Sequence, residues 1–329
     1  MENLNWGIMS TASIATKHVI PAIKKAEHNF IGAIASRNKN KAQKTAERFE
    51  IKTYYDNYED LILDPNLDII YIPLPNTLHK KWVLKTAKAG KNILCEKPLG
   101  INAVQVQEMI EQAKKKDIIL IEGFMYRYQP FIKKLKELLQ LKIGDLRYLD
   151  INLSYMSTRP ADDIRFNKNM GGGSLYDVGC YTVDLIRYLL GEKPVEVYNL
   201  FFKENKNHVD HSGTALLKFA GDITANLRYS FNSFAYKDFT AIGSKGKIIV
   251  NDLFEWFPED ERLIEVITKD KYETFSFKSI DPYLLEIEGI YDHIVNGNTL
   301  PEDIEASLDN LIIIDHLFKS AEKNVHVKL

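Results

Sequence analysis

The sequence predicts an α/β protein: an N-terminal doubly wound parallel sheet, then an α+β domain with a large, mostly antiparallel, open-faced sheet. Short apolar runs alternate with helical patterns over residues 5–121, which is typical of parallel βαβ units. Over residues 195–277 strand patterns follow one another with few helical signals. The change of pattern, and not a linker, indicates a boundary, so we expect two domains, residues 1–123 and 124–329.

The elements of the first half follow from apolar spacing and from the residues that stop each run. Strands are predicted at residues 5–9, 30–35, 67–72, 92–95 and 118–121. Helices are predicted at 14–26, with Pro21 as an irregularity inside it, and at 39–49, 78–89 and 102–116. Gly90 ends the third of these helices.

The second half begins with a helix at residues 128–141, closed by Gly144, and a strand at 146–155. A polar loop covers residues 162–166, and three glycines at 171–173 precede another helix. Residues 223–231 alternate as an antiparallel strand with one apolar face. Gly243 to Gly246 is a hairpin-like turn, and two helices, at 282–294 and 301–323, close the chain.

Composition excludes several classes of function. The net charge of -2 gives no electrostatic reason to expect nucleic acid or an anionic membrane as a partner. No apolar run reaches membrane-spanning length, and the first residues lack a signal-peptide pattern, so we expect a cytoplasmic protein. The two cysteines, Cys95 and Cys180, offer neither a disulfide framework nor metal-ligand spacing. We expect both to pack as small apolar residues, and we expect no metal site.

The end of the 92–95 strand carries a lysine. Pro98 cannot donate a hydrogen bond to a strand ladder, so the strand stops there and leaves Lys97 at its carboxyl end. Open α/β sheets bind their ligands at this edge. A lysine beside a cofactor can hold a substrate hydroxyl. The alternative is an ordinary solvated lysine.

The turn after the first strand occupies the place where a dinucleotide fold carries G-x-G-x-x-G/A. Here the three positions hold Ser10, Ala12 and Ala15. Small residues still permit a phosphate to approach the helix N-terminus, and hydroxyls can add donors. We expect the turn to bind a cofactor through the run Ser10, Thr11, Ala12, Ser13 and Ile14. A generic strand–turn–helix is the alternative.

The second strand ends in Ser36 and Arg37, without the acid that usually holds the ribose hydroxyls of NAD. A hydroxyl and a planar cation suit a 2′-phosphate, so NADP(H) is the expected cofactor and NAD(H) the alternative. After the 67–72 strand, a stiff proline loop is expected to line the cofactor with Pro73, Asn76 and His79. His79 on its own is more often a histidine at a helix start.

Together these motifs resemble the glucose–fructose oxidoreductase / inositol dehydrogenase (Gfo/Idh/MocA) family. The matching pieces are WGI at 6–8, IA at 14–15, PNTLH at 75–79, EKP at 96–98, EGFMYRY at 122–128 and GGGSLYDVGCY at 171–181. The Ser10 and Ala12 departures are similar to the branch with dimeric dihydrodiol dehydrogenases and NADP-dependent xylose dehydrogenases. The resemblance implies a nucleotide-binding Rossmann domain at 1–123 and a substrate-binding and oligomerisation domain at 124–329.

The resemblance also implies roles for single residues. Lys97 contacts the substrate hydroxyl and the nicotinamide ribose, and the Lys97–Pro98 bond is often cis. Glu96 is expected at the cofactor. Arg165 and Tyr126 are expected to bind the substrate.

The glycine turn at 171–173 leads into a helix with polar residues at helical spacing. Ser174 is expected to cap that helix. Asp177 and Tyr181 are four residues apart, so they share a face of a regular helix. We expect Asp177 to accept substrate hydroxyls and Tyr181 to act as the acid/base, with Lys97 lowering its pKa. Asp184 is expected to be structural.

The expected function is an NADP-dependent oxidoreductase that transfers a hydride between nicotinamide and a carbinol or carbonyl of a sugar, polyol or diol. One alternative is an NAD-linked inositol-type dehydrogenase, although the missing acid and the tyrosine at 181 speak against it. A second alternative, from another class, is a catalytically silent regulator that binds the cofactor. The family pattern implies a homodimer, or a tetramer, through the open face of the second sheet.

Overall fold

The computed structural model describes residues 3–203, 208–254 and 261–329. By packing, the chain divides into two units, of which the first comprises Met1–Tyr128 and Asp281–Leu308. The second comprises Gln129–Ile280 and Asp309–Leu329. The first unit thus runs past the expected boundary at residue 123 and takes in a segment from late in the chain. A functional division at residue 123 stays a prediction.

We number the elements along the chain. The strands are β1 (Leu4–Met9), β2 (Asn29–Ala35), β3 (Thr53–Tyr55), β4 (Ile69–Ile72), β5 (Asn92–Glu96), β6 (Leu120–Gly123), β7 (Leu146–Met156), β8 (Glu196–Lys203), β9 (Asp210–Lys218), β10 (Thr224–Ser230), β11 (Asn232–Tyr236), β12 (Phe239–Gly243), β13 (Gly246–Val250), β14 (Glu261–Thr268), β15 (Tyr272–Lys278) and β16 (Val327–Lys328). The helices are α1 (Ile20–Lys25), α2 (Lys39–Phe49), α3 (Tyr58–Leu63), α4 (Asn76–Lys88), α5 (Ala103–Lys115), α6 (Pro130–Leu141), α7 (Cys180–Leu190), α8 (Pro282–Asn296) and α9 (Glu305–Lys323).

The first unit is built on a six-stranded sheet in the order β3-β2-β1-β4-β5-β6, with every pair parallel. The strand order reverses between β1 and β4. Open α/β sheets bind ligands at such a switch point, outside the carboxyl ends of the strands. The predicted doubly wound parallel sheet is therefore confirmed. Strand β3 and helix α3 were not predicted.

Helix ends in the first unit follow local chemistry. The side chains of Asn38 and Asn102 cap α2 and α5 by accepting hydrogen bonds from backbone amides three residues on. Gly90 takes φ 75° just after α4. The helix after β1 opens with a π turn, Ala15–Val19, that passes into α1 next to Pro21. The irregularity expected at Pro21 is thus present, just before the proline.

A hydrophobic core unites the N-terminal strands with α8. Trp6, Ile8 and Tyr71 pack in the same buried cluster as Ile287 and Ile290, which come more than 200 residues later. Long apolar side chains at helical spacing give α8 a buried face. The core of the first unit is therefore completed by a late segment of the chain.

The second unit holds a ten-stranded sheet in the order β15-β14-β13-β12-β7-β10-β9-β8-β16, with β11 paired to β7. All its pairs are antiparallel except that between β10 and β7, which is parallel. Strand β10 buries Ala225, Leu227 and Tyr229, as its alternation predicted. The mostly antiparallel sheet is confirmed, although the expectation that this strand is purely antiparallel was wrong.

Cys95 and Cys180 are buried free thiols, as predicted. In the described parts of the chain, every helix is too short or too polar to cross a bilayer.

Candidate active site

The turn after β1 adopts a glycine-like geometry without glycine. Ser10 has φ 141°, a conformation that residues with a side chain rarely adopt. Its hydroxyl accepts a hydrogen bond from the Ala12 amide at 3.0 Å. Thr11 and Ala12 are partly exposed and Ser13 is exposed. Ile14 is the N-cap residue of the π turn that follows. The turn lies at the switch point of the sheet, so its residues fit a dinucleotide pyrophosphate.

Ser36 and Arg37 lie at the end of the neighbouring strand β2. Ser36 is buried, and its hydroxyl accepts a hydrogen bond from the Asn38 amide, whereas Arg37 is exposed. Tyr58, on the unpredicted helix α3, lies next to both this strand end and the β1 turn. Burial raises the pKa of Tyr58, and the charge of Arg37 and hydrogen bonding from Ser10 act in the opposite direction. Tyr58 therefore connects the two places expected to bind phosphate.

The proline loop after β4 is held from inside by His79. Pro73 is buried, and Asn76 is the first residue of α4. The ring nitrogens of His79 lie 2.9 Å from the Pro98 carbonyl and 2.8 Å from the Leu74 carbonyl, with the side chain fully buried. Burial lowers the pKa of His79. The ring thus joins two loops, and we expect it to serve a cofactor by holding them.

Lys97 follows β5 on a turn whose next two residues are held by buried hydrogen bonds. The Lys97–Pro98 peptide bond is cis, as the family resemblance implied. The Leu99 amide donates to Glu122 Oε1 at 2.7 Å, and His79 holds the Pro98 carbonyl. Lys97 is partly exposed at the carboxyl edge of the sheet. A turn held by these hydrogen bonds therefore places Lys97 at the edge where such sheets bind ligands.

Acidic groups and phenols lie behind this turn. The Tyr71 hydroxyl donates to Glu96 Oε1 at 2.6 Å. Burial, and then the charge of Glu96, raise the pKa of both Tyr71 and Glu286 well above their ordinary values. Glu286 Oε1 is buried without a hydrogen-bond partner. Burial and the nearby charge of Glu96 therefore both favour the neutral form of Glu286.

In the second unit, Asp177 is held from two sides. Arg165 Nε donates to its Oδ1 at 3.0 Å, and the Tyr155 hydroxyl donates to its Oδ2 at 2.7 Å. Arg165 is anchored in turn on Asp163, to which its amide donates at 3.0 Å. Burial disfavours the charged form of Arg165, but the electrostatic interactions with Asp177, Tyr155 and Asp163 outweigh it and raise the pKa of Arg165. Arg165 and Asp177 therefore form a fixed charged pair, and Tyr155 belongs to it.

The helix start after the three glycines differs from the prediction. Residues Leu175–Gly179 form a π turn. The α-helical spacing from which we inferred a shared face for Asp177 and Tyr181 does not apply within such a turn. The shared face stays a prediction. The ring of Tyr181 packs edge-on against Phe254, with centroids 5.7 Å apart. Asp184 accepts a hydrogen bond from the Asn310 amide group and pairs with Arg187 in the core, as a structural residue would.

The expected cap by Ser174 was wrong. Its side chain makes no capping bond, and its hydroxyl instead donates to Asp210 Oδ2. The same oxygen accepts the Leu175 amide, so the cap comes from strand β9. A local sequence pattern carries no sign of a partner 36 residues away.

Tyr126 is 2% exposed and packs edge-on against Phe124. Its proposed contact with substrate stays a prediction.

The structure brings the cofactor candidates together with Lys97 in the first unit, and Asp177 with Arg165 in the second. Tyr181 also lies in the second unit. Sequence reasoning missed Tyr58, Tyr155 and Asp210, because none of them stands in a recognisable motif.

Comparisons with known proteins match most of the chain. Residues 4–124 match the model of the Gfo/Idh/MocA oxidoreductase family with an NAD-binding Rossmann fold, and residues 132–249 match the C-terminal domain of that family. A D-xylose 1-dehydrogenase (NADP(+)) from Haloferax volcanii is 34% identical over 98% of this chain and 99% of its own length. A trans-1,2-dihydrobenzene-1,2-diol dehydrogenase from Mus musculus is 32% identical over 78% and 77% of the two chains.

A solved structure agrees with the fold. It is a 3-ketoreductase from Actinomadura kijaniata in complex with NADP and TDP-benzene. The similarity has a TM-score of 0.91 at 26% identity and covers 97% of this chain and 98% of that one.

Proposed function

The chain belongs to the Gfo/Idh/MocA oxidoreductase family, and from that premise we propose an NADP-dependent dehydrogenase or reductase. It transfers a hydride between nicotinamide and a carbinol or carbonyl of a sugar, polyol or diol. The observation that carries the proposal is the carboxyl edge of the first sheet. There the Ser10 turn lies at the switch point, and the end of β5 presents Lys97 on a buttressed turn.

NADP(H) is the proposed cofactor, with NAD(H) as the alternative. The end of β2 offers the exposed guanidinium of Arg37 and no carboxylate at Ser36. A planar cation binds a 2′-phosphate through charge-assisted hydrogen bonds, whereas a carboxylate there would repel it. An NADP-linked xylose dehydrogenase among the relatives supports this choice.

When bound, nicotinamide supplies the hydride acceptor or donor, and the protein positions the substrate and moves the proton. We assign Lys97 to the substrate hydroxyl and Tyr181 to the proton. An unperturbed phenol has a pKa near ~10, too high for a base at neutral pH, so a cation must lower it. The family pattern suggests Lys97 as that cation. Asp177, fixed by Arg165, orients the remaining hydroxyls of the substrate.

The substrate class is proposed from chemistry and relatives together. A charged pair with a phenol bonded to it suits a compound with several hydroxyls, because carboxylates accept and guanidinium groups donate hydrogen bonds. The relatives include a dehydrogenase of xylose and one of a dihydrodiol. Tyr126 is kept as a substrate contact.

The test is a panel of aldoses, polyols and dihydrodiols with NADP⁺ and NAD⁺, followed at the nicotinamide absorbance. We expect turnover with an aldose or diol, and a higher kcat/KM with NADP⁺. Tight cofactor binding without turnover on any member of the panel would favour a silent regulator and refute the proposal. Preference for NAD⁺ with inositol would favour the alternative dehydrogenase.

We also propose a homodimer, with a tetramer as the alternative, through the outer face of the ten-stranded sheet. The cross-strand register puts several exposed apolar side chains on this face, which we call the open face: Tyr148, Leu200, Phe202, Leu216, Ile242 and Leu263. Large exposed apolar patches mark interaction surfaces. The cytoplasmic location expected from the sequence stays a prediction.

Light scattering after gel filtration tests the dimer. The wild type should elute at about twice the chain mass of 37.9 kDa, or at a higher multiple. Phe202→Lys, which puts a charge on the open face, should shift it to a monomer. Phe30→Lys makes the same change at a 52% exposed site in the first unit and should not. A monomeric wild type would refute the proposal.

A further inference from the structure

Strand β9 holds the start of the helix that carries the proposed substrate and proton residues. Asp210 Oδ2 accepts hydrogen bonds from the Ser174 hydroxyl and the Leu175 amide, each at 2.7 Å. Asp210 is buried, with 3% of the residue exposed. Asp177 lies in the π turn Leu175–Gly179 that opens this helix, and Tyr181 lies at the start of α7, which continues it. The helix start is therefore tied to the sheet through one buried carboxylate.

The glycine turn that precedes the helix packs closely against the Asp210 carboxylate. Gly173 has φ 125°, and a side-chain carbon there would collide with Asp210 Oδ1. Its amide donates to the Arg165 carbonyl at 2.9 Å. A side-chain carbon on Gly172 would lie 2.5 Å from the same carbonyl. The turn has room for only this path, between the Asp210 carboxylate and the Arg165 backbone.

An ordinary cap comes from the residue at the helix start and fixes only the local chain. Here the capping oxygen belongs to another element, so its loss would free the helix start to move relative to the sheet. Burial raises the pKa of Asp210, and hydrogen bonds from Ser174 and Leu175 counteract this. A buried acid is costly unless its hydrogen bonds are made, so removal of those bonds and removal of the acid should have different effects.

We propose that Asp210 is a positioning residue: it sets the place of Asp177 and Tyr181 by tying the first turn of their helix to β9. The inference rests on the proposed function, because those two residues are the ones assigned there to substrate and proton. It concerns geometry within the second unit alone. Displacement of reacting groups by about 1 Å can lower turnover by about a hundredfold.

The first experiment compares Asp210→Ala with a matched control, Ser320→Ala. Ser320 is also buried in the second unit; its hydroxyl donates to the Val325 carbonyl at 2.6 Å and accepts the Asn199 amide at 3.0 Å. Both variants should unfold at lower temperature. Asp210→Ala should also lower kcat about tenfold to a hundredfold per folded molecule, while Ser320→Ala keeps kcat. The dissociation constant for NADP(H) should stay unchanged in both.

A conservative variant and a double variant sharpen the test. Asp210→Asn keeps one oxygen that can accept both donors, so it should recover most of the kcat lost in Asp210→Ala. Gly173→Ala should lower kcat because its new carbon meets Asp210. Removal of the carboxylate makes room, so Gly173→Ala should cost less in the Asp210→Ala background than in the wild type. Equal kcat in Asp210→Ala and Ser320→Ala, or fully multiplicative effects in the double variant, would overturn the inference.

Hydrogen exchange separates this inference from the proposed function. In Asp210→Ala the amides of residues 173–181 should exchange faster, and those of the first unit should not change. Unchanged exchange over 173–181 would overturn the positioning inference whatever the activity. A wild type without turnover on the whole substrate panel, but with the expected exchange change, would refute the proposed function and leave the positioning intact.

Discussion

The variant Tyr155→Phe tests whether the phenol of β7 belongs to the substrate site. Its hydroxyl donates to Asp177 Oδ2 at 2.7 Å, a short bond to a charged partner. Burial and the charge of Asp177 raise the pKa of Tyr155, so the phenol keeps its proton at neutral pH and acts as a donor. Removal of this one oxygen takes the Tyr155 bond from Asp177 and keeps the bond from Arg165. The substitution changes little else, because the ring stays.

The size of the effect follows from that bond. Hydrogen bonds to charged groups contribute about 1.5–3 kcal/mol. Tyr155 is only partly buried, so we expect a smaller loss, about 1–2 kcal/mol. If Asp177 orients the substrate, the loss should lower kcat/KM about 5-fold to 30-fold. The affinity for NADP(H) should not change, since the altered group is outside the nucleotide-binding unit.

Initial rates with NADP⁺ and the best aldose or diol measure kcat/KM. Tyr229→Phe is the matched control, because it also removes a phenol hydroxyl of the second unit, one bonded to Asn199 at 2.9 Å. It should lower the unfolding temperature and keep kcat/KM. In an Asp177→Asn background, Tyr155→Phe should cost much less than in the wild type. A wild-type kcat/KM in Tyr155→Phe, or an equal cost in both backgrounds, would refute the reasoning.

Four further outcomes are expected. Lys97→Met should lose turnover and keep most dinucleotide affinity, because the amine acts chiefly in the transition state. A near-normal kcat would instead support the alternative that Lys97 is an ordinary solvated lysine. Tyr181→Phe should lower kcat at least about a hundredfold and flatten the basic limb of the pH profile, and an unchanged profile would move the proton elsewhere. Arg37→Ala should weaken NADP⁺ binding about tenfold to a hundredfold and leave NAD⁺ binding alone; equal wild-type affinities for the two cofactors would contradict this. The pKa of Glu286 is raised in the folded protein, so unfolding releases its proton and wild-type stability falls as pH rises through the unfolded value, about 4.3. Denaturant unfolding should therefore show Glu286→Gln gaining stability over the wild type between about pH 4 and neutrality, and a constant difference would argue against a neutral Glu286.

The regular elements were predictable where a pattern repeats and a cap marks its end. The helix Lys39–Phe49 was predicted at both ends, and the structure shows that the side chain of Asn38 caps its start. Strand β3 has three residues and α3 has six, which is too short for a period to show. Tyr58 was missed for that reason, although it connects Ser10 with Arg37.

The position of a site residue was predictable where the sheet topology alone determines it. Lys97 and the Ser10 turn follow strands, and the carboxyl ends of parallel strands share an edge. Contacts across the second sheet were not predictable, because Tyr155 reaches Asp177 over 22 residues and Ser174 reaches Asp210 over 36. Such pairs depend on how strands and loops pack, which residue spacing does not encode. The wrong cap at Ser174 has the same origin.

The late position of α8 bears on how this protein is made. Its residues Ile287 and Ile290 complete the same core as Trp6 and Ile8 at the other end of the chain. A nascent chain that has emerged from the ribosome only to Tyr128 therefore lacks part of its own interior and should remain protease-sensitive. Arrested chains ending before Pro282 and after Asn296 would show the difference in limited proteolysis. The nucleotide-binding unit, though begun first, should be among the last parts of the protein to mature during synthesis.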